Sequence, residues 1–273
     1  MDGVQKVLLS LLLGLLLVLL IFYIQNNSFK SNKSKSKTPT FLIIGSNNSG
    51  KTSLYYKLKS INKEELPTST ISSLEPNDGL IQLPFSNEAI QKPFRIVDFP
   101  GHLKYTTLLK KLILEDITLD NLKGIVFVID SSSNSINQEN KIKNITKLIF
   151  EILSQTEKLP NGIDFLFAVN KTDLFDSLPI HRIKTLLQTS MNEIIHNELN
   201  RSGTGGYDDD DEIESDKDDT VRQLWSIIVP KDQSFRFEML EGNMEFKPGS
   251  VLKNKIEDWE NWFDERVVNY GGM

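Results

Sequence analysis

The sequence predicts a doubly wound, mainly parallel α/β sheet of six strands behind one N-terminal transmembrane helix. Short apolar runs recur along the chain: Phe41-Leu42-Ile43-Ile44, Leu80 to Leu83, Phe94 to Val97, Ile125 to Ile129, Ile163 to Val169 and Met244 to Phe246. Most have the length and continuity of strands buried on both faces. Between them the apolar residues switch to helical spacing, as in Ile142, Ile145, Leu148, Ile149, Ile152 and Leu153, and again in Ile180, Ile183, Leu187, Met191, Ile194 and Ile195. Strands alternating with amphipathic helices imply crossover connections and parallel pairing. The third observation is the uncharged stretch Val7 to Ile24.

In chain order, residues 1–6 form a short non-cytosolic N-terminus and residues 7–24 the transmembrane helix. Eighteen residues at about 1.5 Å rise each span roughly 27 Å, which suits a thin bilayer. A cleaved signal peptide would have a shorter apolar region closed by small residues, and Gln25-Asn26-Asn27 follows instead. Lys30, Lys33, Lys35 and Lys37 lie just after the span, so the positive-inside rule places everything beyond it in the cytosol. Residues 25–39, rich in Ser, Asn and Lys, read as a basic juxtamembrane linker, and residues 40–273 as the soluble domain. Within that domain, 201–220 reads as an acidic, disordered loop, because Ser-Gly-Thr-Gly-Gly leads into nine acids between Asp208 and Asp219. Leu252, Ile256, Trp259 and Phe263 mark a last amphipathic helix whose aromatics belong to the core.

The net charge of −6 arises from that acidic run, and the rest of the 273 residues is close to neutral. No basic cluster with interleaved aromatics occurs beyond the juxtamembrane lysines, so direct nucleic-acid binding is not expected. The absence of cysteine fits a reducing compartment.

Three motifs carry chemistry. Gly45-Ser46-Asn47-Asn48-Ser49-Gly50-Lys51-Thr52 follows a buried strand and opens a helix, with Ser53 next. In such a loop backbone N–H groups converge on a polyphosphate, the lysine reaches the outer phosphates and the threonine hydroxyl is placed for Mg²⁺. Asp98-Phe99-Pro100-Gly101 closes another strand, where Asp98 can hold a metal-bound water and Gly101 can offer its N–H to a terminal phosphate. Asn170-Lys171-Thr172-Asp173 closes a third. A carboxylate at Asp173 can accept from guanine N1–H and N2–H₂, a pair that adenine lacks, while Asn170 braces the loops and the Lys171 stem covers the base. Each motif alone is an ordinary loop. In this order, each after a strand, they select GTP over ATP, with Mg²⁺ as cofactor.

The order GSNNSGKTS, DFPGH, NKTD resembles the P-loop GTPases of the Ras superfamily. The membrane span, the segment Thr70-Ile71-Ser72-Ser73-Leu74-Glu75-Pro76, the DFPGH form and the Trp-bearing terminal helix resemble the family of signal recognition particle receptor beta subunits. The resemblance implies that Thr70 completes Mg²⁺ coordination alongside Thr52 and Asp98, with Thr68 a rival for that role. It implies that Gly101 belongs to the second switch, and that Gly249 and Ser250 lie in the last base-contacting loop, although Ser-Ala-Lys is absent there. Where many relatives carry a water-orienting glutamine after DxxG, this chain has His102, which either positions water or contacts a partner.

The resemblance further implies a GTP-binding receptor subunit of the endoplasmic reticulum membrane, recruiting the receptor's alpha subunit in its GTP state and meeting ribosome–nascent chain complexes only indirectly. Hydrolysis of GTP to GDP and phosphate would be slow or partner-regulated. An alternative is a vesicle-traffic GTPase of the Arf/Sar kind driven by a hydrolysis cycle. A permanent span argues against it, since such switches leave the membrane when they change state.

Overall fold

The computed structural model describes residues 38–60, 70, 73–200, 212–230 and 233–270. The expected transmembrane helix at 7–24 lies outside them, as do the linker up to residue 37 and Thr68. Among the described residues no helix is long and apolar enough to cross a membrane.

Six strands form one sheet: β1 (Thr40–Gly45), β2 (Asn77–Leu83), β3 (Lys92–Asp98), β4 (Leu122–Asp130), β5 (Phe165–Asn170) and β6 (Met244–Pro248). Their order is β2-β3-β1-β4-β5-β6. Only β2 runs antiparallel, against β3; the other neighbours are parallel. All six apolar runs are thus strands. β1 and β5 are buried throughout, as continuous apolar runs in a sheet covered on both faces should be. The edge strand β2 differs: Asp78, Leu80 and Gln82 face solvent while Ile81 and Leu83 are buried.

Alternate residues of β1 feed two cores, because successive side chains of a strand point to opposite faces. Phe41 and Ile43 pack with Leu54 and Leu58 of α1 (Lys51–Lys59) and with Trp259, Trp262 and Phe263. Leu42 and Ile44 join the larger core. There the helices are α2 (Thr106–Lys111), which continues as a wider turn over Leu112–Ile117, then the short α3 (Ser133–Ile136), α4 (Glu139–Thr156) and α5 (Ile180–Asn200). The apolar stripes expected on α4 and α5 form this face: Leu148, Ile152, Leu187 and Met191 are all buried in it.

Two expectations are corrected. The loop expected over 201–220 gives way at Glu212 to a helix, α6 (Glu212–Ile228), while 201–211 lie outside the described residues. Downstream, Val221, Trp225 and Val229 recur every fourth residue and pack on the core. Trp225 is fully buried, donates its indole N–H to Ser154 Oγ at 2.9 Å and stacks on Phe150. The second correction concerns the last helix, α7 (Glu257–Tyr270): Leu252 lies in the preceding turn and is exposed, whereas Trp259, Trp262 and Phe263 are core.

Candidate functional site

The strand order reverses direction at β1, whose sequence-distant neighbours are β3 and β4. At such a switch point the loops leaving the strands' carboxyl ends diverge and open a crevice. A cavity of about 210 Å³ lies there, and it is lined by residues of all three motifs, including Lys51, Thr52, Gly101, Asn170 and Asp173.

The first motif turns from β1 into α1 through two glycines that no other residue would replace. Gly45 has φ +142° and a Cβ there would collide with the Val128 carbonyl; Gly50 has φ +99° and would collide with the Asn170 amide. No side chain caps α1. Its first N–H groups are therefore left for an anion, in the field of the helix's positive end. Asn47, Asn48, Gly50, Lys51, Thr52 and Ser53 line the cavity; Gly45, Ser46 and Ser49 do not, and the Ser46 and Ser49 carbonyls accept bonds from Lys51 and Asn170. Lys51 is buried and donates to the Ser46 carbonyl at 2.7 Å. Burial pulls its pKa down to about 8, and the nearby Asp98 only partly opposes this. A buried ammonium held by a carbonyl oxygen is one whose charge an incoming phosphate would stabilise.

Asp98 is fully buried at the end of β3. Its Oδ2 accepts from the Thr52 hydroxyl at 2.8 Å and from the Asn77 amide at 2.8 Å. Its Oδ1 is buried with no hydrogen-bond partner among the described residues. Burial raises the Asp98 pKa, against the pull of those two donors and of Lys51. One free carboxylate oxygen beside a threonine hydroxyl fits Mg²⁺, which takes one or two carboxylates and otherwise keeps water and phosphate oxygens. Thr70 lines the cavity too, but its hydroxyl lies 3.1 Å from Ser53 Oγ, one residue from Thr52. Gly101 presses on the phosphate loop so closely that a Cβ would sit 2.5 Å from the Gly45 carbonyl and 2.6 Å from Lys51 Nζ.

The base end is closed by backbone-to-side-chain bonds. Asn170 is buried, donates to the Ser49 carbonyl at 2.8 Å and accepts from the Val251 N–H at 3.0 Å. It thus ties the phosphate loop to the loop after β6. Thr172 reinforces the tie, donating both its N–H and its hydroxyl to the Gly249 carbonyl. Ser250 lines the cavity with Val251 and Leu252, while Gly249 does not line it and accepts the bonds from Thr172. Asp173 is exposed on the cavity wall. Lys171, at φ +64°, lines the cavity with its ammonium on Asp130 Oδ2 at 2.7 Å.

His102 lies beside the phosphate loop rather than in the cavity of Lys51 and Thr52. It is exposed, its Nδ1 accepts from the Lys104 N–H at 3.2 Å, and it lines an adjoining cavity rather than the one holding Lys51 and Thr52. Sequence reasoning missed Asn77, Asp130 and Val251. Asp130 ends β4 as Asp98 ends β3, a signal that could have found it. Asn77 comes to Asp98 only through the antiparallel register of β2 on β3.

A family model described as "Signal recognition particle receptor beta subunit" matches residues 36–244. The signal recognition particle receptor subunit beta of Saccharomyces cerevisiae is 30% identical over 252 residues, covering 89% of this chain and 91% of that one. That of Homo sapiens is 24% identical over 271 residues, covering 96% and 88%. The structure of the mammalian SRP receptor superposes with a TM-score of 0.62 at 21% identity, covering 83% of this chain and 99% of that one. The SRb-GTP/SRX complex of Chaetomium thermophilum gives 0.60 at 20% identity, covering 84% and 98%. These two establish the likeness of fold.

Proposed function

Because the chain belongs to the signal recognition particle receptor beta subunit family, we propose that it is the membrane-anchored subunit that recruits the receptor's alpha subunit when GTP is bound. It would do so at the endoplasmic reticulum, for co-translational targeting, with the domain in the cytosol. The anchor is residues 7–24, and residues 25–39 tether the domain of residues 40–273 to the membrane.

One observation carries the nucleotide reading: a buried Lys51 shares one cavity with Thr52, Asn170 and Asp173, and the Thr52 hydroxyl is bonded to a buried, half-unpartnered Asp98. Unmatched buried charge is costly unless a ligand supplies the missing partner. GTP supplies phosphate oxygens to Lys51 and to the N–H groups of 45–53, while guanine donates to Asp173. Thr52, Asp98 and Thr70 would hold Mg²⁺, which neutralises the phosphates. Thr70 and Gly101 head the two segments that respond to the last phosphate, and their ordering creates the partner surface.

His102 favours a binding module over a hydrolysis-driven cycle. Its ring is exposed and lines not the cavity of Lys51 and Thr52 but an adjoining one of about 350 Å³, so contact with a partner is its better role. Hydrolysis on this reading is slow or partner-assisted.

Displacement of a fluorescent guanine nucleotide tests the core of the reading. GTP should compete strongly and ATP weakly, and equal competition would overturn the guanine assignment. Co-purification from membranes in defined nucleotide states tests recruitment, which should need GTP.

A further inference from the structure

The ion pair between Lys171 and Asp130 joins the third motif to a residue outside all three, and its surroundings show a built support. Asp130 is buried at the end of β4. Its Oδ1 accepts from the Ser132 N–H at 3.0 Å, and its Oδ2 accepts from the Ser135 hydroxyl at 3.0 Å and from Lys171 Nζ at 2.7 Å. Burial alone would raise its pKa, but the bonds from Lys171 and Ser132 bring it below the usual carboxylate value. The carboxylate is therefore charged when it meets the lysine.

The turn that Asp130 organises is in turn stitched to the base-binding loop. Ser131 N–H donates to the Asn170 carbonyl at 3.0 Å, Leu178 N–H to the Ser131 carbonyl at 2.8 Å, and Ser133 N–H to the Asp176 carbonyl at 3.0 Å. Lys171 itself stands in the left-handed region at φ +64°, a conformation that a lysine keeps only when its surroundings hold it. Lys171 lines the cavity while its ammonium pairs with Asp130 Oδ2 at 2.7 Å.

From this geometry we infer that Asp130 is the positioning residue of the base site, holding Lys171 extended so that its stem is already in place when guanine enters. The inference rests on the nucleotide reading proposed above. A free lysine would lose its rotamer freedom on binding; one already anchored has lost it on folding. Asp130 touches no nucleotide atom in this scheme, and its contribution is felt only by ligands that carry a base.

The test compares GTP with ribose 5-triphosphate, which keeps sugar and phosphates but has no base, on the full-length chain in detergent with Mg²⁺. Asp130→Asn keeps the shape and the bond from Ser132 while removing the charge. It should weaken GTP about tenfold, the order of one lysine's rotamer freedom, and leave ribose 5-triphosphate within about twofold. In a Lys171→Met background the same substitution should have no further effect on GTP. An equal loss on both ligands, no loss on either, or an undiminished effect without Lys171 would each overturn the inference. A natural chain that binds both ligands equally would instead refute the base site itself, and the inference with it.

Discussion

At the base end of the cavity the Asn170 side chain has protein partners on both its oxygen and its nitrogen, and Thr172 bonds the facing loop twice. At the phosphate end Asp98 Oδ1 and Ser49 Oγ are buried with no partner among the described residues, and Lys51 is buried against a carbonyl. On the proposed reading the base end is a finished piece of protein for the nucleotide to fit into, and the phosphate end is one for the ligand to complete. A neutral base brings few compensating charges, so its site must be pre-formed to select it; a polyphosphate brings several, so its site can be left charged and under-satisfied.

The comparison predicts opposite signatures for substitutions at the two ends. Asn170→Ala should produce the largest effect, since it strands the Ser49 carbonyl and the Val251 N–H. With each orphaned buried group costing about 1–3 kcal/mol, thermal or denaturant unfolding should show a loss of roughly 2–6 kcal/mol even without nucleotide. Lys51→Ala should weaken GTP on the order of a hundredfold, as removing one partner of a buried charge contact does. Yet the nucleotide-free chain should keep or raise its unfolding midpoint, because a desolvated charge has been removed. A fall in that midpoint as large as that of Asn170→Ala would erase the distinction between the ends.

A titration with pH sharpens it. The folded Lys51 has its pKa lowered to about 8, below its unfolded value near 10.4. Between these values the unfolded chain binds more protons, so this group makes the nucleotide-free protein more stable as pH rises from about 8 to 10. Phosphate favours the charged lysine, so GTP affinity should fall over the same window by at most about tenfold per pH unit, with proton uptake on binding. Calorimetry in buffers of differing ionisation heat measures that uptake, and its persistence in a Lys51→Met variant would remove the lysine as its source. The smallest effect belongs to His102→Ala, which should change GTP affinity by less than about twofold, since the ring lies outside the cavity. A larger change would bring His102 into the nucleotide site.

Much of this was legible before any coordinates. The six apolar runs are the six strands: those buried on both faces, such as β1 and β5, must be apolar at successive residues, while the edge strand β2 shows only as a short run. The phosphate loop was legible because only glycine tolerates the backbone at Gly45 and Gly50. The helix α6 was misread because its acidic start masks the fourfold spacing of Val221, Trp225 and Val229. A charged run is compatible with a loop or with a helix N-terminus, and only the groove beside Phe150 and Ser154 tells which.

The sequence by itself determined the strand–loop–helix order, the identity of the motif residues and the chemistry that each motif can offer, for these follow from local backbone constraints and from functional groups. Only the tertiary structure decided which of those groups are satisfied. That Asn170 is fully bonded and Asp98 is not, that Asp130 holds Lys171, that Asn77 reaches Asp98, and that His102 stands outside the cavity all depend on strand order and register. Burial and hydrogen-bond partnership are properties of the packed sheet edge, where residues 46 and 121 positions apart in sequence come into contact, and no local pattern encodes them.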